Sequence, residues 1–187
     1  MGILLIGALA LALLWAISAY NRLVQAKHTA SQALANIDVL LRQRHDELPK
    51  LVETCKQYRQ FEQETLEKVI AARGGVARAS ADHDVAALGK AEAALRTQVG
   101  RIFAVAESYP ELRADASFAQ LQSRITGLEN GIADRRELYN EAVNTNNVLL
   151  EQFPGSLIAG LGRFGALPLL RFEARDTADV DLKSLFA

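Results

Sequence analysis

Residues 2–20 contain no charged side chain, and this stretch constrains the fold more than any other part of the sequence. About 20 helical residues, each rising about 1.5 Å, cover the roughly 30 Å hydrocarbon core of a membrane. Amphipathic aromatic side chains favour the membrane interface, so Trp15 and Tyr20, with Arg22 just beyond them, are predicted to mark the boundary. The sequence therefore predicts a transmembrane anchor over residues 1–20.

A cleaved signal peptide is the main alternative to a retained anchor. Ala16-Ile17-Ser18 is a passable cleavage pattern. However, no basic residue precedes the apolar stretch, and the stretch is longer than the usual apolar region of a signal peptide. A retained, single-pass anchor is therefore favoured. Because Arg22 and Lys27 follow it, the positive-inside rule favours a cytoplasmic location for the rest of the chain, and a periplasmic location stays open.

Apolar residues recur at alternating steps of three and four along much of the remaining chain, which predicts amphipathic helices. The cleanest series is Phe118, Leu121, Ile125, Leu128, Ile132, Arg135, Tyr139, Ala142, Asn146, Leu149 and Phe153. A strict 3.5-residue repeat predicts coiled-coil-like packing. The predicted fold is all-α, with an antiparallel bundle of long helices over 21–155 and an apolar segment and solvated tail over 156–187.

Proline, glycine and capping residues predict where the helices begin and end. Pro49 is expected to kink a helix or to begin a new one. Gly74-Gly75 is expected to end a helix before a loop over 74–83. Asp82 is a candidate cap for the helix that follows the loop, and Ser117 with Gln120 forms a candidate capping box for the next.

Composition and motifs argue against several classes of protein. Lys and Arg number 21 against 22 Asp and Glu, without the basic surplus of a nucleic-acid binder. The single cysteine, Cys55, is interpreted as a buried small apolar residue. His28, His45 and His83 are far apart and show no zinc-binding spacing. Phosphate-binding and catalytic motifs are missing from the sequence, so we predict no catalytic residue, metal or cofactor.

Polar residues on two of the predicted helices form a second feature. The asparagines between 140 and 147 are unusual, because Asn is a mediocre helix former. One interpretation is a solvated surface in which only Asn146 is buried and sets the helix register. The other is a buried polar network between two helices, because buried polar groups need partners. The predicted members of this network are Asp38, Arg42, Asp46, Arg135, Tyr139 and Asn146.

The segment 156–172 is apolar but interrupted by glycine and proline, which makes a second membrane span implausible. It is expected to pack on the bundle, to contact the membrane surface or to bind a partner. The side chains predicted to dock a partner are Leu157, Ile158, Leu161 and Phe164.

Several stretches, taken in order, resemble the LemA family of bacterial membrane proteins. They are YNRLV at 20–24, IDVLLRQRHDELPKLVET at 37–54, EQETL at 62–66, ADRRELYNEAV at 133–143 and FPGSLIA at 153–159. His45 and Arg136 depart from the family pattern, which has an aromatic and a small or polar residue there. The resemblance implies a short N-terminal anchor and a helical bundle with no known catalytic activity. Magnetosome-associated relatives of the family suggest roles in membrane organisation.

These observations predict a non-enzymatic, membrane-anchored scaffold or interaction protein of the bacterial inner membrane. Its expected partners are membrane lipid, through the anchor, and a second copy of the chain or other membrane proteins. The alternative is an accessory or regulatory subunit of another envelope enzyme, transporter or signalling protein. No nucleic-acid partner is expected.

Overall fold

The computed structural model describes residues 1–58 and 61–172, and every regular element in those ranges is a helix. The elements are α1 (Gly2–Lys56), α2 (Gln63–Ala81), α3 (Val85–Ala106), α4 (Pro110–Ala114), α5 (Ala116–Glu151) and α6 (Gly155–Leu161). The predicted all-α fold, with a long apolar helix at its N-terminus, is confirmed. The predicted solvated tail, from residue 173 onward, lies outside the described residues.

Helix α1 is continuous from the apolar stretch to Lys56, so the predicted boundary at residue 20 falls inside it. Pro49 neither ends the helix nor begins a new one. Proline has no N–H to donate to the carbonyl four residues earlier, which is that of His45. The Nε–H of Arg73, on α2, donates to this His45 carbonyl at 3.0 Å. A side chain thus replaces the hydrogen bond that Pro49 removes.

The chain forms two compact units. The first contains residues 1–44 and 126–169, which are the first part of α1, most of α5, all of α6 and an extended segment. Leu23 and Ile37 of α1 and Val143 of α5 are buried in this unit. Helix α5 runs antiparallel to α1, because Leu40 lies against Gly131 near the middle of α5, whereas Tyr20 contacts Phe164, which follows α5 in the chain.

The second unit contains the described residues of 45–125 and 170–172. Its apolar core includes Leu48, Leu51, Cys55, Val69, Leu95, Val99, Ile102, Leu112, Phe118 and Ile125. The short segment at its end lies close against α3, where a Cβ on Gly89 would come 2.1 Å from the carbonyl oxygen of Arg171. Only glycine permits this approach of two backbones.

The prediction that Gly74-Gly75 ends a helix is wrong, because α2 continues through both residues to Ala81. Each glycine costs about 1 kcal/mol relative to alanine in a helix interior. Val76 and Ala79, which follow directly, are buried, and their packing offsets that cost. The chain instead turns at His83, which has a left-handed backbone with φ 55°.

Two helix caps lie at aspartates other than the predicted residues. The side chain of Asp84, not that of Asp82, accepts the Ala87 N–H at 2.9 Å and caps α3. At the start of α5, Oδ1 of Asp115 accepts the backbone N–H of Phe118 at 3.0 Å and that of Ser117 at 2.8 Å. These bonds, above all the one from Phe118, hold the pKa of Asp115 below its usual value.

We expect Arg73→Met to lower the free energy of unfolding by about 1–3 kcal/mol, because the His45 carbonyl then loses its donor. In a Pro49→Ala background the same substitution should cost much less, since residue 49 can again donate to that carbonyl. Denaturation of the four variants of this double-mutant cycle measures the difference. Additive effects would contradict the compensation.

The same cycle should be sensitive to pH. Burial, followed by the charge of Arg73, lowers the pKa of His45 from its usual value of 6.5. The unfolded chain therefore binds a proton more readily, and stability should fall as the pH drops from about 6.5 towards the lowered value. Arg73→Met should weaken this dependence.

Candidate interaction groove and membrane-proximal surface

Helices α1 and α5 of the first unit enclose an open groove of about 560 Å³ just beyond the apolar stretch. Small side chains, among them Ala26, Ala33 and Ala142, leave this space between the two helices. The lining residues are Arg22, Gln25, Ala26, Thr29, Gln32, Ala33, Asn36, Arg135, Leu138, Glu141, Ala142, Thr145 and Leu149.

The groove is bordered by two stripes with coiled-coil spacing. On α1 the stripe is Arg22, Gln25, Thr29, Gln32 and Asn36, and on α5 it is Arg135, Leu138, Ala142, Thr145 and Leu149. Residues spaced by alternating steps of three and four lie on the face of a helix that packs against neighbouring helices. The α1 stripe is polar, whereas the α5 stripe carries two leucines, of which Leu138 is 52% exposed. The groove therefore offers a mixed polar and apolar surface with helical spacing.

The heptad series predicted as one stripe on α5 divides into two in this unit. Ile132, Tyr139 and Asn146 are buried, whereas Arg135 of the same series is exposed and Ala142 lines the groove. Members seven residues apart lie on one line along the helix, so Ile132, Tyr139 and Asn146 face the core, whereas Arg135 and Ala142 lie on the neighbouring line, which borders the groove.

An extended segment after α6 is held to α5 by side-chain hydrogen bonds. Asn147 accepts the Leu167 N–H at 2.9 Å and donates to the Leu167 carbonyl at 3.0 Å. The hydroxyl of Tyr139 donates to the Pro168 carbonyl at 2.8 Å, and burial raises its pKa. Sequence reasoning singled out Asn146, which donates to Asn147. No sequence spacing indicated the role of Asn147, because its partners are backbone groups 20 residues away.

The six residues of the predicted polar network lie in different surroundings. Asp38 and Arg42 form an ion pair at 2.7 Å, with the Arg42 side chain 80% exposed. Asp46 and Arg135 are also exposed. Only Tyr139 and Asn146 are buried, and they bond to Pro168 and Asn147, which lie outside the predicted set. The burial that the network requires is thus found for two of its six members.

Two charged residues of α1 that are not among the six predicted network residues are buried. Arg44 is 2% exposed and Glu47 is 5% exposed. The spacing of Leu41, Arg44 and Leu48 continues an apolar stripe, and this signal points to a buried arginine. Oε1 of Glu47 accepts from Arg124 at 2.8 Å and from Lys50 at 3.1 Å, so a carboxylate in the second unit is paired with two cations.

In the part of the chain that the structure describes, the side chains that could act as nucleophiles or metal ligands do not form a reactive centre. Cys55 is fully buried, and this burial raises its pKa to about 12. The reactive thiolate is therefore disfavoured. Among residues 1–58 and 61–172, no three His, Cys, Asp or Glu side chains are grouped so that they could hold a metal ion.

The residues predicted at the membrane boundary lie at the exposed start of α1. This helix contains a stretch long and apolar enough to cross a membrane. Trp15 is 44% exposed, and the ring of Tyr20 contacts the ring of Phe164 at 5.5 Å between centroids. Among the predicted docking residues, Leu157 and Leu161 are exposed, whereas Ile158 and Phe164 are half-buried.

The sequence model of the LemA family matches residues 33–183. This chain belongs to the LemA family. The family match confirms the resemblance carried by the motifs between residues 37 and 159.

Curated relatives of this LemA-family chain match over shorter stretches. Magnetosome proteins MamQ 1 and MamQ 2 of Paramagnetospirillum magneticum are each 32% identical over 66 residues, covering 35% of this chain and 24% of theirs. Magnetosome protein MamQ of Magnetospirillum gryphiswaldense is 26% identical over 93 residues, covering 49% of this chain and 34% of its own. The matches thus span between a quarter and a third of the relatives' length. With the apolar start of α1, they indicate a membrane-associated helical protein.

We expect Asn147→Ala to speed hydrogen exchange at the Leu167 amide and to lower stability by about 1–3 kcal/mol, because two hydrogen bonds are lost. Asn144→Ala is the matched control, since Asn144 is an exposed residue of the same helix. Unchanged exchange at Leu167 in the Asn147→Ala variant would contradict the role assigned to Asn147.

Proposed function

We propose that this protein is a non-enzymatic, membrane-anchored scaffold of the bacterial inner membrane that associates with itself. The observation that carries the proposal is the α1–α5 groove, which has coiled-coil spacing on both sides and lies directly beyond the anchor. Grooves of this kind receive helices, because side chains repeating at steps of three and four interlock with those of a neighbouring helix.

A second copy is the occupant that the anchor favours. Two chains anchored in the same membrane carry their grooves at the same distance from its surface, so the groove faces meet without further adjustment. A two-fold axis along the membrane normal places α1 of one protomer against α5 of its partner. Small residues such as Ala26, Ala33 and Ala142 permit a close approach of the helices.

The polarity of the groove predicts a reversible association. Burying the exposed part of Leu138 and Leu149 favours contact, whereas most of the α1 stripe must exchange hydrogen bonds with water for hydrogen bonds with the partner. Obligate interfaces are more apolar than this one.

The same polarity favours a second candidate function, in which the groove binds a helix of another envelope protein and this chain acts as its accessory subunit.

The names of the MamQ relatives link those proteins to magnetosomes. This link supports a role in membrane organisation for the present chain, although the matched stretches are short parts of the relatives. The basic residues Arg22 and Lys27 beyond the apolar stretch support a cytoplasmic location for the helices outside the membrane.

We expect Leu138→Glu to weaken self-association at least about tenfold, which corresponds to 1.4 kcal/mol, because the interface would then bury a charge in place of an apolar side chain. Leu138 is half exposed, so the substitution should leave the fold intact. Val148→Glu is the matched control, since Val148 is an exposed apolar residue of α5 that does not line the groove. Light scattering in mild detergent measures the mass of each variant.

The wild-type mass distinguishes the two candidate functions. A wild-type protein that is strictly monomeric in detergent and in vesicles would contradict self-association and favour the accessory role. Equal weakening by Leu138→Glu and Val148→Glu would show that copies associate through a different surface.

We expect a cysteine introduced by Gly100→Cys to react with a membrane-impermeant maleimide only after cells are permeabilised. Gly100 is an exposed residue of α3, so its position reports the side of the membrane that holds the helices. The unmodified chain supplies the background, because its only cysteine is buried. Labelling of the variant in intact cells would contradict the cytoplasmic location.

A further inference from the structure

We infer that residues 153–164 form a second membrane contact, in which Phe153, Leu157 and Leu161 enter the lipid interface beside the anchor. The inference rests on the membrane anchoring included in the proposed function, and it is independent of self-association.

The position of α6 along the anchor supports this contact. Tyr20 is the last residue of the apolar stretch, so its ring marks the membrane boundary. The Phe164 ring lies edge-on against it, with 5.5 Å between centroids. Because α5 runs antiparallel to α1, it also ends towards this boundary, and α6 follows within four residues. The chain from α6 to Phe164 therefore lies at the level where α1 enters the membrane.

One face of α6 is packed and the other is apolar and uncovered. Ala159 is 5% exposed, whereas Leu157 and Leu161, one helical turn apart, are 60% and 84% exposed. Phe153, just before the helix, is 80% exposed. Large apolar side chains gathered on one surface signal contact with a partner or a membrane. Phe164, three residues after Leu161, contacts Tyr20 at the end of the apolar stretch, so lipid that surrounds the anchor would also reach this surface.

The end of α6 folds the chain back onto the anchor. Arg163 has a left-handed backbone with φ 53°, and the next N–H, that of Phe164, donates to the Ala159 carbonyl at 3.1 Å. A side chain on the preceding Gly162 would come 2.6 Å from the Phe164 ring. This turn directs Phe164 towards Tyr20 and leaves Leu161 on the outer surface.

The charge of the segment is suited to an anionic membrane surface. Residues 152–172 contain no Asp or Glu, whereas Arg163 is exposed directly after α6. Arg22 lies two residues beyond Tyr20 on α1. Each basic residue near an anionic membrane surface contributes about 1 kcal/mol to its binding. Apolar side chains on one face and arginine beside them are typical of interfacial helices.

Tryptophan quenching in vesicles tests the inference on the full chain. The sequence has one tryptophan, Trp15, so Trp15→Phe gives a background without this fluorophore. Leu161→Trp and Leu157→Trp are then made separately and reconstituted into vesicles of phosphatidylcholine and phosphatidylglycerol. Part of the phosphatidylcholine carries bromine on the upper acyl chain, which quenches only tryptophan at that depth. Val39→Trp is the matched control, because Val39 is 54% exposed and lies roughly 28 Å beyond Tyr20 along α1.

We expect the L161W and L157W proteins to show blue-shifted emission and quenching comparable to that of Trp15 in the unmodified protein. The V39W protein should show neither effect. If Trp15 is quenched but neither α6 variant shows a blue shift or quenching, the inference is overturned while the anchor stays in place. Absence of quenching at Trp15 would overturn the anchor and, with it, the membrane contact of α6. Circular dichroism of each variant verifies the helical fold.

Discussion

In the proposed anchor, the absence of water in the membrane core is the constraint on which the first unit depends. Every backbone polar group of residues 2–20 must find its partner within the segment, and only a helix provides these partners in a single span. The helix does not stop at Tyr20, because no residue there disfavours continuation. In the proposed anchored protein, the membrane would therefore fix the axial position of α1 and, through it, the levels of the α1–α5 groove and of α6.

Buried polar contacts secure the parts of the structure that lack helical regularity. Asn147 pairs with both backbone groups of Leu167, in the manner of a neighbouring strand, and Tyr139 donates to the next carbonyl, that of Pro168. Arg73 has a similar role near Pro49, because it donates a hydrogen bond to the His45 carbonyl, which the proline cannot pair with. In each case a long-range side chain satisfies a backbone group whose helical or sheet partner is missing.

Sequence periodicity predicted the helices and much of their buried surface, because burial of one helix face repeats at a fixed spacing. Val85, Leu88, Leu95, Val99, Ile102 and Ala106 are all buried as their spacing indicates. Local signals were less reliable. The free-energy cost of Gly74 and Gly75 in a helix is offset by the burial of Val76 and Ala79, so α2 continues through them. Asp82 and Asp84 are both close enough to the start of α3 to be candidate caps, and the sequence did not distinguish between them. The groove itself was not predictable, since it arises from small residues on two helices whose register is set by the fold.

The burial of Cys55 makes its thiol a reporter of local unfolding. A thiol with no exposed surface and a pKa of about 12 is unreactive while the second unit is closed. It reacts when the core around it opens, so its rate of modification reports the frequency of that opening. The protein thus carries an internal probe of its own local stability. The probe requires no engineered label.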